Sequence, residues 1–227
     1  MRILVIAAHP DDEVLGCGGY IARLSESNEV FTAIVTEGCS AQYADTDYKK
    51  IIALKKKAAL KANGLLGVRD VFFGDFPDMR LDTVGHVTIN AFLEKVIAET
   101  APRLVLTHHP GDLNLDHQLV YRSTMVAARP VDRHPIDILL YETPSATEWQ
   151  GYDYKTAFIP TVFIDIDETI ARKIEALAEY DIELRSAPHP RSEHGIRAHA
   201  SYRGLAAGLM YAEAFSLQRS IEFGISP

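Results

Sequence analysis

Two short runs, Ile3-Leu4-Val5-Ile6-Ala7 and Leu104-Val105-Leu106, are apolar at every position. A strand with one wet face alternates apolar and polar residues, so an unbroken apolar run demands cover on both sides. Helices packed on both faces of a parallel sheet supply that cover, which narrows the fold to the α/β class. Stretches rich in β-branched and aromatic residues recur along the chain and predict strands at Arg2–Ala8, Glu29–Thr36, Asp70–Phe76, Arg103–His108, Ile136–Glu142 and Thr161–Ile166. Helical spacing fills the gaps: from Asp11 to about Asn28, Tyr48–Leu66, Val84–Glu99 ahead of Pro102, a segment after Asp116, Glu168–Leu184, and a last helix near Arg203–Arg219. The expected architecture is a Rossmann-like, doubly wound, mostly parallel sheet in three αβα layers, a single domain over residues 1–227, with strand order 3-2-1-4-5-6. Ala187–Tyr202, dense in Pro, His, Arg and Ser, reads as a loop over the site.

At 227 residues the chain suffices for one sizeable domain, and 47% hydrophobic with 24% charged residues is ordinary for a globular protein. A net charge of −8 argues against nucleic acid as the main partner. Two cysteines, Cys17 and Cys39, offer no disulfide framework or structural zinc pattern. Arg2 and the apolar residues after it fall short of a secretion signal, and no stretch reaches the roughly 20 apolar residues of a membrane span. The expected location is the cytoplasm.

The chemistry concentrates directly after the first strand, in His9-Pro10-Asp11-Asp12-Glu13. Strand C-termini are where parallel α/β sheets build ligand sites. Thr107-His108-His109-Pro110-Gly111-Asp112-Leu113-Asn114-Leu115-Asp116-His117 follows the fourth strand, which the expected order sets beside the first. His9, Asp12 and His117 then supply three protein ligands and leave a position for water, the pattern of catalytic zinc. Adjacent residues on a tight turn cannot aim alike, so Asp12 is assigned to the ion and Asp11 to the water as general base. Asp116 would orient an imidazole from behind. The competing reading is that Asp11, Asp12 and Glu13 only cap and charge a helix N-terminus. Gly16-x-Gly18-Gly19 lacks the dinucleotide spacing and is read as close packing.

With these residues in place, the chain resembles the PIG-L/LmbE-like family of zinc-dependent N-deacetylases. The likeness runs from Ala8-His9-Pro10-Asp11-Asp12-Glu13 and Gly16, Gly18 and Gly19 through Thr36-Glu37-Gly38, Leu66-Gly67-Val68, Phe76-Pro77-Asp78 and Asp116-His117. It ends with Arg203-Gly204 and Tyr211-Ala212-Glu213-Ala214-Phe215. The resemblance implies one Zn²⁺ per chain on His9, Asp12 and His117, with Fe²⁺ an ion the donors also suit. It implies Asp11 as base, Asp78 as a contact to sugar hydroxyls, and removal of acetyl from a small N-acetylated sugar, free or nucleotide- or lipid-linked. A homo-oligomer is compatible with it. Two positions depart from the family pattern. Asn114 stands where relatives carry a histidine that assists the oxyanion or the leaving amine, so His109 is the first substitute, His194 and His199 the next, and return of the proton by Asp11 the alternative. Lys55-Lys56-Lys57-Ala58 stands where relatives often have Arg and Glu, and the lysines are otherwise a solvated helix face. Tyr43, Trp149 and Tyr152 are candidates to stack on a sugar ring.

Two other functions fit the residues: a zinc amidase acting on a larger amide such as a thiol conjugate, and a non-enzymatic Rossmann-like binding module.

Overall fold

The computed structural model describes residues 1–39, 47–131, 135–151 and 153–222. Tyr43 and Tyr152 lie outside the described residues. Seven strands form one sheet: β1 Arg2–Ala7, β2 Glu29–Thr36, β3 Asp70–Phe76, β4 Leu104–His108, β5 Asp137–Tyr141, β6 Val162–Asp165 and β7 Ala212–Arg219. The helices are α1 Asp12–Leu24, α2 Tyr48–Leu66, α3 His86–Thr100, α4 Leu115–Ala127, α5 Ile170–Ala178 and α6 Glu193–Leu205. The sheet order is β3-β2-β1-β4-β5-β7-β6, parallel throughout except that β7 runs antiparallel to both β5 and β6.

The apolar runs behave as their composition requires. Along β1 and into the residue that follows it, Ile3, Val5 and Ala7 enter one core and Leu4, Ile6 and Ala8 the other, all fully buried. The first core is completed by α1, α2 and α5, the second by α3 and α4. Each fully buried aliphatic side chain of this kind contributes roughly 1.5–3 kcal/mol relative to exposure. Because α1 leaves β1 on one face and α4 leaves β4 on the other, no helix covers the junction of the two strand tips, and a cleft opens there.

The expected order and last helix need correction. The segment at Arg203–Arg219 ends α6 and then forms β7, which inserts between β5 and the strand expected beside it. Ala212-Glu213-Ala214 has good helix propensity, but pairing with β6 overrides it. The expected loop Ala187–Tyr202 is a loop only to Ser192, whose hydroxyl caps α6 by accepting the Gly195 amide at 3.0 Å. The glycines of α1 serve packing: a Cβ on Gly16 would lie 2.3 Å from the Tyr141 ring.

Candidate metal centre

The cleft at the tips of β1 and β4 is lined by His9, Asp11, Asp78, Asn114, Glu183 and Arg191 among others. Three donor atoms converge beneath it. His9 Nδ1 lies 3.1 Å from Asp12 Oδ2 and 3.2 Å from His117 Nε2, and His117 Nε2 is 3.2 Å from the same Asp12 oxygen. Ligands at about 2.0–2.1 Å from a tetrahedral zinc stand roughly 3.3 Å apart, so this near-equilateral triangle has the size of one face of such a site. Two ring nitrogens and an anionic oxygen at this separation call for a shared cation. Asp12 Oδ1 is also buried without a hydrogen-bond partner, which the native interior rarely tolerates. The residues therefore fit an ion.

The far side of each imidazole faces carboxylate, the arrangement that fixes ring orientation around a metal. His9 Nε2 lies 3.1 Å from Asp78 Oδ1 and 3.3 Å from Asp116 Oδ2. His117 Nδ1 faces Asp112 Oδ1 at 3.1 Å, off the line of a good hydrogen bond. Asp112 is itself fixed by Thr147 Oγ1, which donates to Oδ2 at 2.7 Å, and by the Asn114 amide at 2.8 Å. Asp116, expected to orient an imidazole, stands behind His9, and Asp112 stands behind His117. Asp78, Asp116 and His9 Nε2 form a second group close enough to share a cation.

His108 completes the support. It is fully buried and stacks on His117 with ring centroids 4.0 Å apart and planes at 17°. The Ala8 amide donates to His108 Nε2 at 2.9 Å, so that nitrogen is the acceptor and Nδ1, 3.3 Å from Thr143 Oγ1, carries the hydrogen. Burial, and then the neighbouring His117, hold His108 well below the ordinary imidazole range and keep it neutral. His109 turns elsewhere: its Nε2 bonds the Thr156 carbonyl at 2.8 Å and its ring meets Phe158 edge-on. The structure does not bring it to the cleft lining.

Asp11 precedes α1 but caps nothing; its carboxylate pairs with Arg191 Nη1 at 2.9 Å. Burial pushes this carboxyl up to about 7, against the pull of the guanidinium. Burial would raise Asp12 too, but the His117 and His9 rings hold it well below the usual range. Lys55 is not on a solvated face: it is buried in the cleft wall, with Nζ 2.6 Å from Glu183 Oε1. Asn114 accepts the Asp116 amide at 2.9 Å as the cap of α4. Trp149 is exposed, edge-on to His189, and absent from the cleft lining. Glu213 takes Lys173 Nζ at 2.6 Å. Asp112, Glu183 and Arg191 escaped the sequence reading, and only the cluster Asp112-x-x-x-Asp116-His117 carried a local signal.

A family model described as PIG-L, GlcNAc-PI de-N-acetylase, matches residues 4–128. The chain is 34% identical over 188 residues to the uncharacterised deacetylase YaiS of Escherichia coli strain K12, covering 78% of this chain and 89% of that one. The solved N,N'-diacetylchitobiose deacetylase of Pyrococcus horikoshii superposes with a TM-score of 0.76 at 22% identity, over 96% of this chain and 83% of that one. GalB, the 4-carboxy-2-hydroxymuconate hydratase of Pseudomonas putida KT2440, superposes with a TM-score of 0.74 at 21% identity, over 99% of each chain. The two structural likenesses establish the fold, which serves more than one reaction.

Proposed function

Because the chain belongs to the PIG-L family, described as GlcNAc-PI de-N-acetylase, we propose that it hydrolyses the acetamido group of an N-acetylated amino sugar or its conjugate. His9, Asp12 and His117 would hold one divalent ion, Zn²⁺ by donor chemistry, with Fe²⁺ suiting the same donors. Bound there, the ion supplies Lewis acidity toward the amide carbonyl and brings the pKa of water near 7.

Asp11 is the base. Its carboxylate takes a proton as the water oxygen bonds to the carbonyl carbon, then delivers that proton to nitrogen as the C–N bond breaks. One water is consumed, and one acetate and one amine are formed, the second proton of the water passing from the nascent acetic acid to the amine or to solvent. Buried in the cleft with one guanidinium partner, the same group can accept and return a proton. The hold of Thr156 on His109 supports this double role over transfer by His109. Asp78, at the cleft wall behind His9, would meet a sugar hydroxyl. The free, buried thiols Cys17 and Cys39 suit a reducing compartment, here the cytoplasm. Among the described residues no helix is long and apolar enough to cross a membrane.

The observation that carries the reading is the triangle of His9, Asp12 and His117 donors with Asp11 beside it in an open cleft. The test is acetate release by the zinc-loaded protein from a panel of free and conjugated N-acetylated sugars. Acetate and new amine should appear in equal amounts. A fully loaded protein that releases none, yet hydrates an unsaturated acid, would overturn the proposal.

A further inference from the structure

Asp11 occupies the position before α1 where an acidic side chain ordinarily bonds the first free amides, yet no such bond forms. Its φ is 122°, a region that a residue with a Cβ keeps only when its surroundings hold it there. What the carboxylate meets is Arg191 Nη1 at 2.9 Å. The Nε of the same guanidinium donates to Ser145 Oγ at 2.7 Å. Ser145 also has positive φ, 71°. Among the described residues five non-glycine residues share that backbone region, and two of them turn their side chains onto one arginine. Arg191 Nη1 also lies 3.7 Å from Glu183 Oε2.

We infer that Arg191 is a positioning residue that aims the Asp11 carboxylate into the cleft, an inference that rests on the reading of Asp11 as the base. A planar guanidinium fixes two directions at once, so the tie to Ser145 sets the line along which Arg191 pulls on Asp11; an ammonium could satisfy one partner and leave the other. The contact joins the loop after β1, the loop after β5 and the segment before α6, so three parts of the chain determine where one carboxylate points. Without Arg191 the favourable state for Asp11 is the ordinary cap, its carboxylate turned back to the Glu13 amide and out of the cleft, the Val14 amide already being taken by the Asp11 carbonyl.

The test uses the full, zinc-loaded chain with Arg191→Ala, Arg191→Lys and Ser145→Ala. Arg191→Ala should lower kcat about 100-fold, the cost of misplacing a reacting group by roughly an ångström, with KM changed less than about twofold and zinc content unchanged. Arg191→Lys should recover little of this, and added guanidinium ion should restore part of it. Ser145→Ala, which keeps the charge and cuts one tether, should cost about tenfold in kcat, the worth of one hydrogen bond. A crystal structure of Arg191→Ala should show the Asp11 carboxylate on the Glu13 amide. That arm is readable whether or not the wild type releases acetate, so a failed function assignment and a failed positioning role are told apart. An unmoved Asp11 in that structure, a kcat within about threefold of wild type, full recovery with lysine, or a loss confined to KM would each overturn the inference.

Discussion

Asp11 and Asp12 are chain neighbours with opposite electrostatic fates, and the difference comes from what each faces. Asp12 accepts the His9 amide and lies against the His9 and His117 rings, whose hold outweighs its burial; Asp11, equally buried, faces one guanidinium and rises to about 7. Asp11→Asn should therefore keep the ion and lose turnover by about 10²–10⁴-fold, whereas His117→Ala should lose both. Parallel measurement of bound metal and released acetate checks this; full activity in Asp11→Asn would remove it from the role of base. Glu13 gives a pH-dependent counterpart. It is fully buried, accepts from Tyr180 Oη at 2.5 Å and Asn63 Nδ2 at 2.9 Å, and burial pushes its carboxyl up to about 7. The folded state then binds a proton more tightly than the unfolded chain, so Glu13's contribution falls as pH rises from its ordinary range through 7, by about 3 kcal/mol. Glu13→Gln should flatten that part of the metal-free stability curve in urea titrations between pH 5 and 8; an unchanged slope would show that Glu13 does not titrate there. The meeting of His9, Asp12 and His117 was legible because strand-tip position and spacing bring them to one cleft. Arg191, Asp112 and the choice between His108 and His109 were not, because they depend on loop paths and ring orientation that neighbours far along the chain decide.

At the level of elements, the clearest strands were read from composition because burial on both faces leaves no polar position to confuse the pattern. The C-terminal quarter hid its structure for a related reason. In β7 the exposed Leu217 and Gln218 and the half-buried Arg219 would serve a helix equally well, and only pairing with β5 selects the strand. In α6 the start signal, Ser192 followed by Glu193, was masked by the preceding Pro, His and Arg. β7 also repairs a defect in α1, which departs from helical geometry at Cys17 (φ −146°, ψ 23°). The amides freed beyond the kink, Gly19 and Tyr20, donate to Glu213 at 2.9 and 2.7 Å, and the buried Lys173 Nζ sits 2.6 Å from the same carboxylate. Glu213→Ala would strand an ammonium and two amides together. The expected loss is about 3–5 kcal/mol, a fall of roughly 6–20 °C in Tm by calorimetry. A fall under about 2 °C would mean water or Lys173 relaxes into the gap.

At the scale of the whole molecule, the sheet's reversal between β1 and β4 means that His9 and Asp12 reach the cleft from one lip and His117 from the other. The donors are held in place by the sheet, through Ala8 on His108 and His108 on His117, so the cleft is formed in the folded chain and absent from the unfolded one. An ion that binds the first state and not the second stabilises the fold by mass action, about 2.7 kcal/mol at a free concentration one hundred times Kd. For a chain of 227 residues that corresponds to a rise of roughly 5–10 °C in Tm. The size should follow the logarithm of free zinc above Kd, and a chelator should return the protein to its metal-free value reversibly. His117→Ala should abolish the zinc dependence, while Asp11→Asn, whose side chain faces Arg191 instead of the donor triangle, should keep it. A Tm that rises with zinc equally in His117→Ala would place the stabilising ion elsewhere, most directly on the group formed by His9, Asp78 and Asp116, and Asp78→Asn in the same titration would then separate the two sites.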